Sequence, residues 1–285
     1  MPIIALFSPS SIIASLSFDR SLKIKTHTVD KDYYKAYYHL EREHWWFKAR
    51  LDILERLLGK EILSQHSDKS AVKVLNAGVA TGATSLMLEK YAETVSLEYD
   101  KDCCVMLKEL VGIDAVNASL TELPFEDNSF DLVCAFDVIE HIEDHEMAMA
   151  EINRVLKPNG HVFLTVPAFE FLWSSHDDIN HHKRRYTSKN LASVVKGQQF
   201  NIQFISYFNS ILFPVIAAAR LLLNFIEKIK GKSKDEEPQS DFDKIQTGNF
   251  INKILYFVFR MERPWLSRRL KFPFGVSLVV VGKKK

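Results

Sequence analysis

The sequence predicts an α/β chain built on a doubly wound parallel sheet, and three observations carry that prediction. Short apolar runs alternate with helical segments of about a dozen residues between Val72 and Pro167, the pattern of strand–helix–strand crossover units whose sheet is covered on both faces. The first of these runs, VLNAG, breaks into a glycine turn that opens a helix. At 285 residues and 47% hydrophobic side chains, the chain is long enough to fill the core that such a sheet requires.

Each element follows in order. Residues 1–30 contain the leader MPIIALFSPSSIIASLSF, which lacks a basic start and is broken by Pro2, Pro9 and several serines. A poorly ordered leader fits this better than a secretory signal. Within residues 31–70, aromatic, charged and apolar residues recur at helical spacing from Tyr33 to Leu58, with few breakers before Gly59, and predict one or two N-terminal helices. The core, residues 71–207, reads as strand AVKVLNAG, helix ATSLMLEKYA, strand TVSLEYD, helix KDCCVMLKELV, short strand DAVNAS, strand SFDLVCAFDVI, helix DHEMAMAEINRVL and strand GHVFLTVP. Pro158, Asn159 and Gly160 mark a tight return into the last of these. Helix SKNLASVVKGQQF and strand NIQFISYF follow. Residues 208–272 form a helical insertion, two apolar segments around a polar run that is flexible by composition near 230–248, and residues 273–285 supply the final strand and a basic tail.

With 37 basic against 36 acidic side chains, the chain has no global field, so no nucleic-acid partner is expected. Cys103, Cys104 and Cys134 form neither a CxxC pair nor a disulfide framework, which points to a reducing, cytoplasmic setting. The first apolar segment is long enough for a membrane span. If NIQFISYF and GVSLVVVG pair in one sheet, however, a single crossing between them is impossible, and a helical hairpin remains. Residues 208–229 and 250–266, flanked by Lys228, Lys230, Lys232, Lys234, Arg260, Arg263, Arg268 and Arg269, suit peripheral contact with an anionic bilayer, a cap over a pocket, or a homodimer interface. All three stay open.

The glycine turn narrows the ligand. Gly78 and Gly82 lie in G-x-A-x-G, whereas a pyrophosphate-binding turn reads G-x-G-x-x-G. Glu98 stands 20 residues beyond Gly78 at the end of the next strand, where a carboxylate accepts both hydroxyls of an adenosine ribose. A nucleoside without a diphosphate fits this spacing better than NAD, and the Tyr-x-x-x-Lys pair of a short-chain dehydrogenase is missing.

Over Val72 to Pro167 the chain resembles the class I S-adenosylmethionine-dependent methyltransferases, within them the type-11 small-molecule group. VLNAGVATG stands for the usual V-L-D-x-G-x-G-x-G, followed by SLEYD, ASLTELPFEDNSFDLVCAFDVIEHI and EINRVLKPNGHVFLTVP. The resemblance implies a Rossmann-like seven-stranded sheet with its last strand antiparallel. It implies S-adenosyl-L-methionine as cofactor and a small-molecule or lipid-linked acceptor methylated by in-line displacement. It assigns the cofactor to Asn76, Ala77, Gly78, Ala80, Thr81 and Gly82 at the turn, to Glu98 and Tyr99, to Ser119 and Leu120 near the adenine, and to Phe136 and Asp137. Three departures stand out: Asn76 where Asp is common, Ala80 for the middle glycine, and Ser119 where many relatives carry Asp. They keep a rival in play, a regulatory module that binds the cofactor with reduced turnover.

His141 of the EHI sequence is the candidate general base, against an architectural role common in the family. His141 and His145 stand one helical turn apart, but with no third ligand evident no metal is expected. After the fifth strand, His176, Asp177, His182, Arg184, Arg185 and Tyr186 are expected over the acceptor pocket, where arginine forks suit carboxylate and phosphate. The alternative is a loop whose arginines pair with Asp177 and Asp178 and whose YTSKNL caps the next helix. A similar H-x-R-R-Y segment in the resembling proteins favours substrate contact.

Overall fold

The computed structural model describes residues 31–59, 71–230 and 249–285. Strands β1 (Lys73–Ala77), β2 (Glu93–Glu98), β3 (Val116–Asn117), β4 (Phe130–Phe136), β5 (Leu156–Pro167), β6 (Phe200–Phe208) and β7 (Ser277–Lys284) form one sheet in the order β3-β2-β1-β4-β5-β7-β6. The first five run parallel, and β7 lies antiparallel between β5 and β6. This is the expected seven-stranded sheet with its last strand antiparallel.

Its central strands are apolar on both faces because helices cover both. On one face, Trp45, Ile53 and Leu58 of α2 (Trp45–Leu58, after α1, Lys31–Glu43) and Leu88 of α3 (Ala83–Leu88) pack with Val74, Leu132 and Phe163. After α4 (Lys101–Val111), the opposite face is covered by α5 (His145–Val155) and, beyond the short α6 (Ser175–Ile179), by α7 (Ser188–Gly197). There Ala148, Ile152, Leu191 and Val195 meet Leu75, Val133, Leu164 and Val280. Capping fixes the helix starts. Asp100 accepts from the amides of Asp102 and Cys103 to open α4, and Thr187 with Asn190 forms a capping box at α7.

Three elements differ from expectation. Helix α3 stops at Leu88, because Lys90 and Tyr91 turn away to bond Glu55 of α2. Strand β3 keeps only two residues, since the Asn117 side chain leaves the ladder to cap the carbonyls of Glu98 and Tyr99. Strand β5 begins at Leu156, so the turn residues Pro158, Asn159 and Gly160 sit in an irregularity within it, where the register jumps between Phe130–Leu156 and Leu132–His161.

The insertion holds α8 (Phe213–Lys230), α9 (Asn249–Arg260) and α10 (Arg263–Leu266). The Asn252 side chain of α9 accepts from the Trp45 amide at 2.9 Å and donates to the Glu43 carbonyl at 3.0 Å, stapling α9 to α2. Arg260 and Arg263, weighed for bilayer contact, a pocket cap or a homodimer interface, pair with Asp52 of α2, and Arg269 covers the Phe204 ring. Helix α8 is tied by Arg220 and Asn224 to the carbonyls of Leu172 and Trp173. Leu222, Phe225, Phe250, Ile254 and Phe257 point outward. Among the described residues, no helix is long and apolar enough to cross a membrane. The leader 1–30, residues 60–70, Lys232, Lys234 and the run 231–248 lie outside the described residues, as do the side chains of Lys228 and Lys230.

Glu262, fully buried between α9 and α10, accepts from the amides of Ser210 and Ile211 at 2.6 and 2.8 Å, and burial pushes its pKa up to about 7. The folded chain therefore holds this proton more tightly than the unfolded chain. The contribution of Glu262 to stability is greatest below about pH 4 and declines as pH rises to about 7. Glu262→Gln is expected to flatten that slope, gaining up to roughly 3 kcal/mol on the wild type between pH 5 and pH 8. Urea unfolding at the two pH values checks this; equal slopes in both proteins would count against it.

Candidate active site

The strand order reverses between β1 and β4, and a cleft of about 840 Å³ opens there beyond the carboxyl ends of the strands. Its floor is the glycine turn. Gly78 has φ +69°, and a Cβ there would meet Val138 Cγ2 at 2.5 Å, so a side chain at this position is strained and displaces Val138. The neighbouring Ala80 adopts φ +45°, a left-handed conformation uncommon for alanine. Glu98 Oε2 accepts from the Ala80 amide at 3.0 Å, and Oε1 from Tyr99 and Asp100 at 2.9 and 3.1 Å. Burial pushes the Glu98 carboxyl up against the pull of these three amides. The carboxylate is thus fixed to the turn it faces, with acceptor capacity left over.

Eight of the expected cofactor residues line the cleft: Gly78, Ala80, Glu98, Tyr99, Ser119, Leu120, Phe136 and Asp137. Asn76, Ala77, Thr81 and Gly82 lie behind it. Asn76 is buried and its amide donates to the hydroxyls of Thr84 and Ser85, both at 2.9 Å, so it ties β1 to α3. The Thr81 hydroxyl donates to Glu41.

The N-terminal helices contribute a wall that sequence reasoning gave no role in the site. Tyr37, Glu41, Trp46, Phe47 and Arg50 all line the cleft. Arg50 Nη2 donates to Asp137 Oδ2 at 2.6 Å and to Thr165 Oγ1 at 3.0 Å, clamping α2 to the ends of β4 and β5. Glu41 also accepts from the Ala83 amide at the start of α3.

At the far end the segment after β5 folds onto the turn after β4. His176, His182 and Arg185 line the cleft, while Asp177, Arg184 and Tyr186 brace it. Buried Asp177 accepts from Arg185 Nε and Nη2 at 2.8 and 2.9 Å, and from His182 Nδ1 and the Ser174 amide, both at 2.8 Å. Burial opposes its charge, but the His182 hydrogen bond and the Arg185 guanidinium outweigh it and hold the carboxyl well below the usual range. Arg184 donates to the carbonyls of Ile142 and Glu143, and the Tyr186 hydroxyl meets His145 Nδ1 at 2.6 Å. The expected Arg–Asp177 pairing occurs, but in the interior rather than on a solvated loop. Asp178 instead takes the Trp173 indole.

His141 sits at the cleft, its pKa lowered to about 4 by burial and by His182, so its imidazole is neutral at pH 7. Glu140, fully buried beside it, has no hydrogen-bond partner for either carboxylate oxygen among the described residues. Burial, and then the charge of Asp137, push its pKa well up. His145, weighed with His141 for a metal, gives Nδ1 to the Tyr186 hydroxyl and stands outside the ligand cluster found among the described residues. Glu140, His141 and His182 instead bring ligand atoms within 4.8 Å of one another.

Residues 75–164, which carry the turn, Glu98 and the EHI sequence, match the family model for a methyltransferase domain, Methyltransf_11. The chain carries a class I, type-11 methyltransferase domain. The chain is 28% identical over 129 residues to demethylmenaquinone methyltransferases of Staphylococcus aureus strains MRSA252 and JH9, a match covering 40% of this chain and 54% of each relative. The chain thus spans about half the length of the curated relatives it matches. An S-adenosylmethionine-dependent methyltransferase from Thermotoga maritima shares the fold with TM-score 0.51 and 16% identity, covering 89% of this chain and 98% of that one. The [4+2]-cyclase SpnF also has TM-score 0.51 at 16% identity, covering 82% and 80%. Likeness at this level speaks for the methyltransferase fold alone, since one of the two is named for a different reaction.

Proposed function

We propose that the methyltransferase domain moves a methyl group from S-adenosylmethionine to an apolar small-molecule or lipid-linked acceptor. The observation that carries this reading is Glu98, hydrogen-bonded to the glycine turn across the floor of a cleft walled by Tyr37, Trp46, Phe47 and Phe136. In this reading Gly78 and Ala80 let the cofactor approach the backbone, Glu98 accepts its ribose hydroxyls, and Ser119 and Leu120 meet its adenine. Glu41 and Asp137 supply negative charge for its ammonium group, which Asn76 does not. When bound, the cofactor supplies an electrophilic methyl group on a sulfonium. The chain's residues need only align the acceptor and exclude water, and Trp46, Phe47 and Phe136 suit that task. Neutral His141 serves by taking the acceptor's proton or in the way argued below. The rival binding module rests on Asn76, whose amide is engaged by Thr84 and Ser85, and on Ala80 in place of a glycine.

Incubation with methyl-labelled cofactor and a panel of detergent-dispersed phenols and quinols is expected to move label into the organic extract. Bound cofactor with no labelled product from any acceptor would favour the binding module.

The outward face of α8 and α9 supports an acceptor drawn from a membrane surface, since Arg220 of α8 also lines the cleft. The three free cysteines fit a cytoplasmic location. Vesicles containing anionic lipid are expected to sediment the protein, with Phe250→Glu plus Phe257→Glu weakening this at least ~10-fold. Failure to sediment with any vesicle would turn attention to a homodimer at the same face.

A further inference from the structure

We propose that Glu140, His141 and His182 bind a first-row divalent cation at the acceptor end of the cleft. The three ligand atoms, all within 4.8 Å of one another, come from two segments 41 residues apart, the turn after β4 and the segment after α6. Metal–ligand bonds of about 2.0–2.2 Å hold neighbouring ligand atoms roughly 3 to 4 Å apart, so a small side-chain movement closes the set.

Three further features point to an ion. Glu140 is fully buried and both its oxygens lack hydrogen-bond partners among the described residues, a situation that a carboxylate tolerates when paired or bound to metal. His182 gives Nδ1 to Asp177 at 2.8 Å, leaving Nε2 as its remaining ligand atom. Asp177 is itself gripped through two bonds by Arg185, so the imidazole is oriented by a carboxylate in the manner of metal-bound histidines. All three residues line the cleft, so a three-ligand site keeps open positions facing the acceptor. The nearest cations are already matched: Arg50 to Asp137, and Arg185 to Asp177.

Two imidazoles and one carboxylate suit zinc, cobalt, manganese or iron better than magnesium or calcium. Resting on the methyl-transfer reading, the ion assigns an acceptor that reacts through oxygen, a phenol or enol. Bound to the ion, the acceptor hydroxyl ionises near neutral pH. Its O–H bond breaks and the proton passes to solvent water; the oxygen's electron pair then forms the bond to the methyl carbon as the methyl–sulfur bond breaks, its pair staying on sulfur to leave S-adenosylhomocysteine. The His141 lone pair is then committed to the ion.

The test uses the full chain stripped with chelator, with Co²⁺ followed by visible absorption, Zn²⁺ by calorimetry, and S-adenosylhomocysteine titrated separately. One Co²⁺ per chain is expected, with absorption bands displaced by Zn²⁺. Glu140→Gln and His182→Ala should each weaken binding at least ~10-fold, while His145→Ala, whose imidazole bonds Tyr186 instead, leaves it unchanged. No ion binding, binding indifferent to the first two substitutions, or equal loss in His145→Ala overturns the proposal. Ion binding without S-adenosylhomocysteine binding would defeat the cofactor reading and leave the metal site standing; the reverse result would do the opposite.

Discussion

Asp177→Ala is expected to lower stability by about 3–5 kcal/mol, the range for removing one partner of a buried ion pair. The substitution leaves the Arg185 guanidinium, itself 6% exposed, with the Ala168 carbonyl and without the carboxylate that both Nε and Nη2 bond. It also releases His182 and the start of α6, both anchored on the same carboxylate. Denaturant unfolding of the purified variant measures the loss. Replacing both partners together by apolar residues of similar volume should recover much of it, because no unpaired charge then remains. A loss below about 1 kcal/mol would mean that the pair behaves as a surface contact.

The second large effect is on binding. Glu98→Ala should weaken S-adenosylhomocysteine at least ~100-fold, about 2.7 kcal/mol, because hydrogen bonds to a charged carboxylate from two ribose hydroxyls are lost together. The variant also deprives the amides of Ala80, Tyr99 and Asp100 of their acceptor, which loosens the turn. Glu98→Gln, which keeps one carbonyl oxygen at the site, should fall between. Calorimetry decides the matter, and an affinity within twofold of wild type would remove Glu98 from the cofactor site.

Local pattern made most of the sheet legible. Strand AVKVLNAG, its glycine turn and Glu98 were readable because each depends on neighbours close in sequence. What joins distant segments was not. Arg50 reads as one more basic residue of an aromatic helix, yet its partner Asp137 is 87 residues away. The buried Asp177–Arg185 pair resembles a polar loop because burial comes from the fold, not from the segment's composition. His182 joins Glu140 and His141 only after the β5 crossover returns the chain to the turn after β4, so local ligand spacing points to His145 instead. The capping boxes, by contrast, were visible in part: YTSKNL does cap α7. Sequence fixes the position of Asn76 at the turn but not the direction of its amide, which faces Thr84 and Ser85.

The most direct test of the central claim is calorimetric titration of S-adenosylmethionine, S-adenosylhomocysteine and NAD into the full chain. The expected result is one site for each of the first two and none for NAD. Binding of NAD alone, or of none of the three, would contradict it.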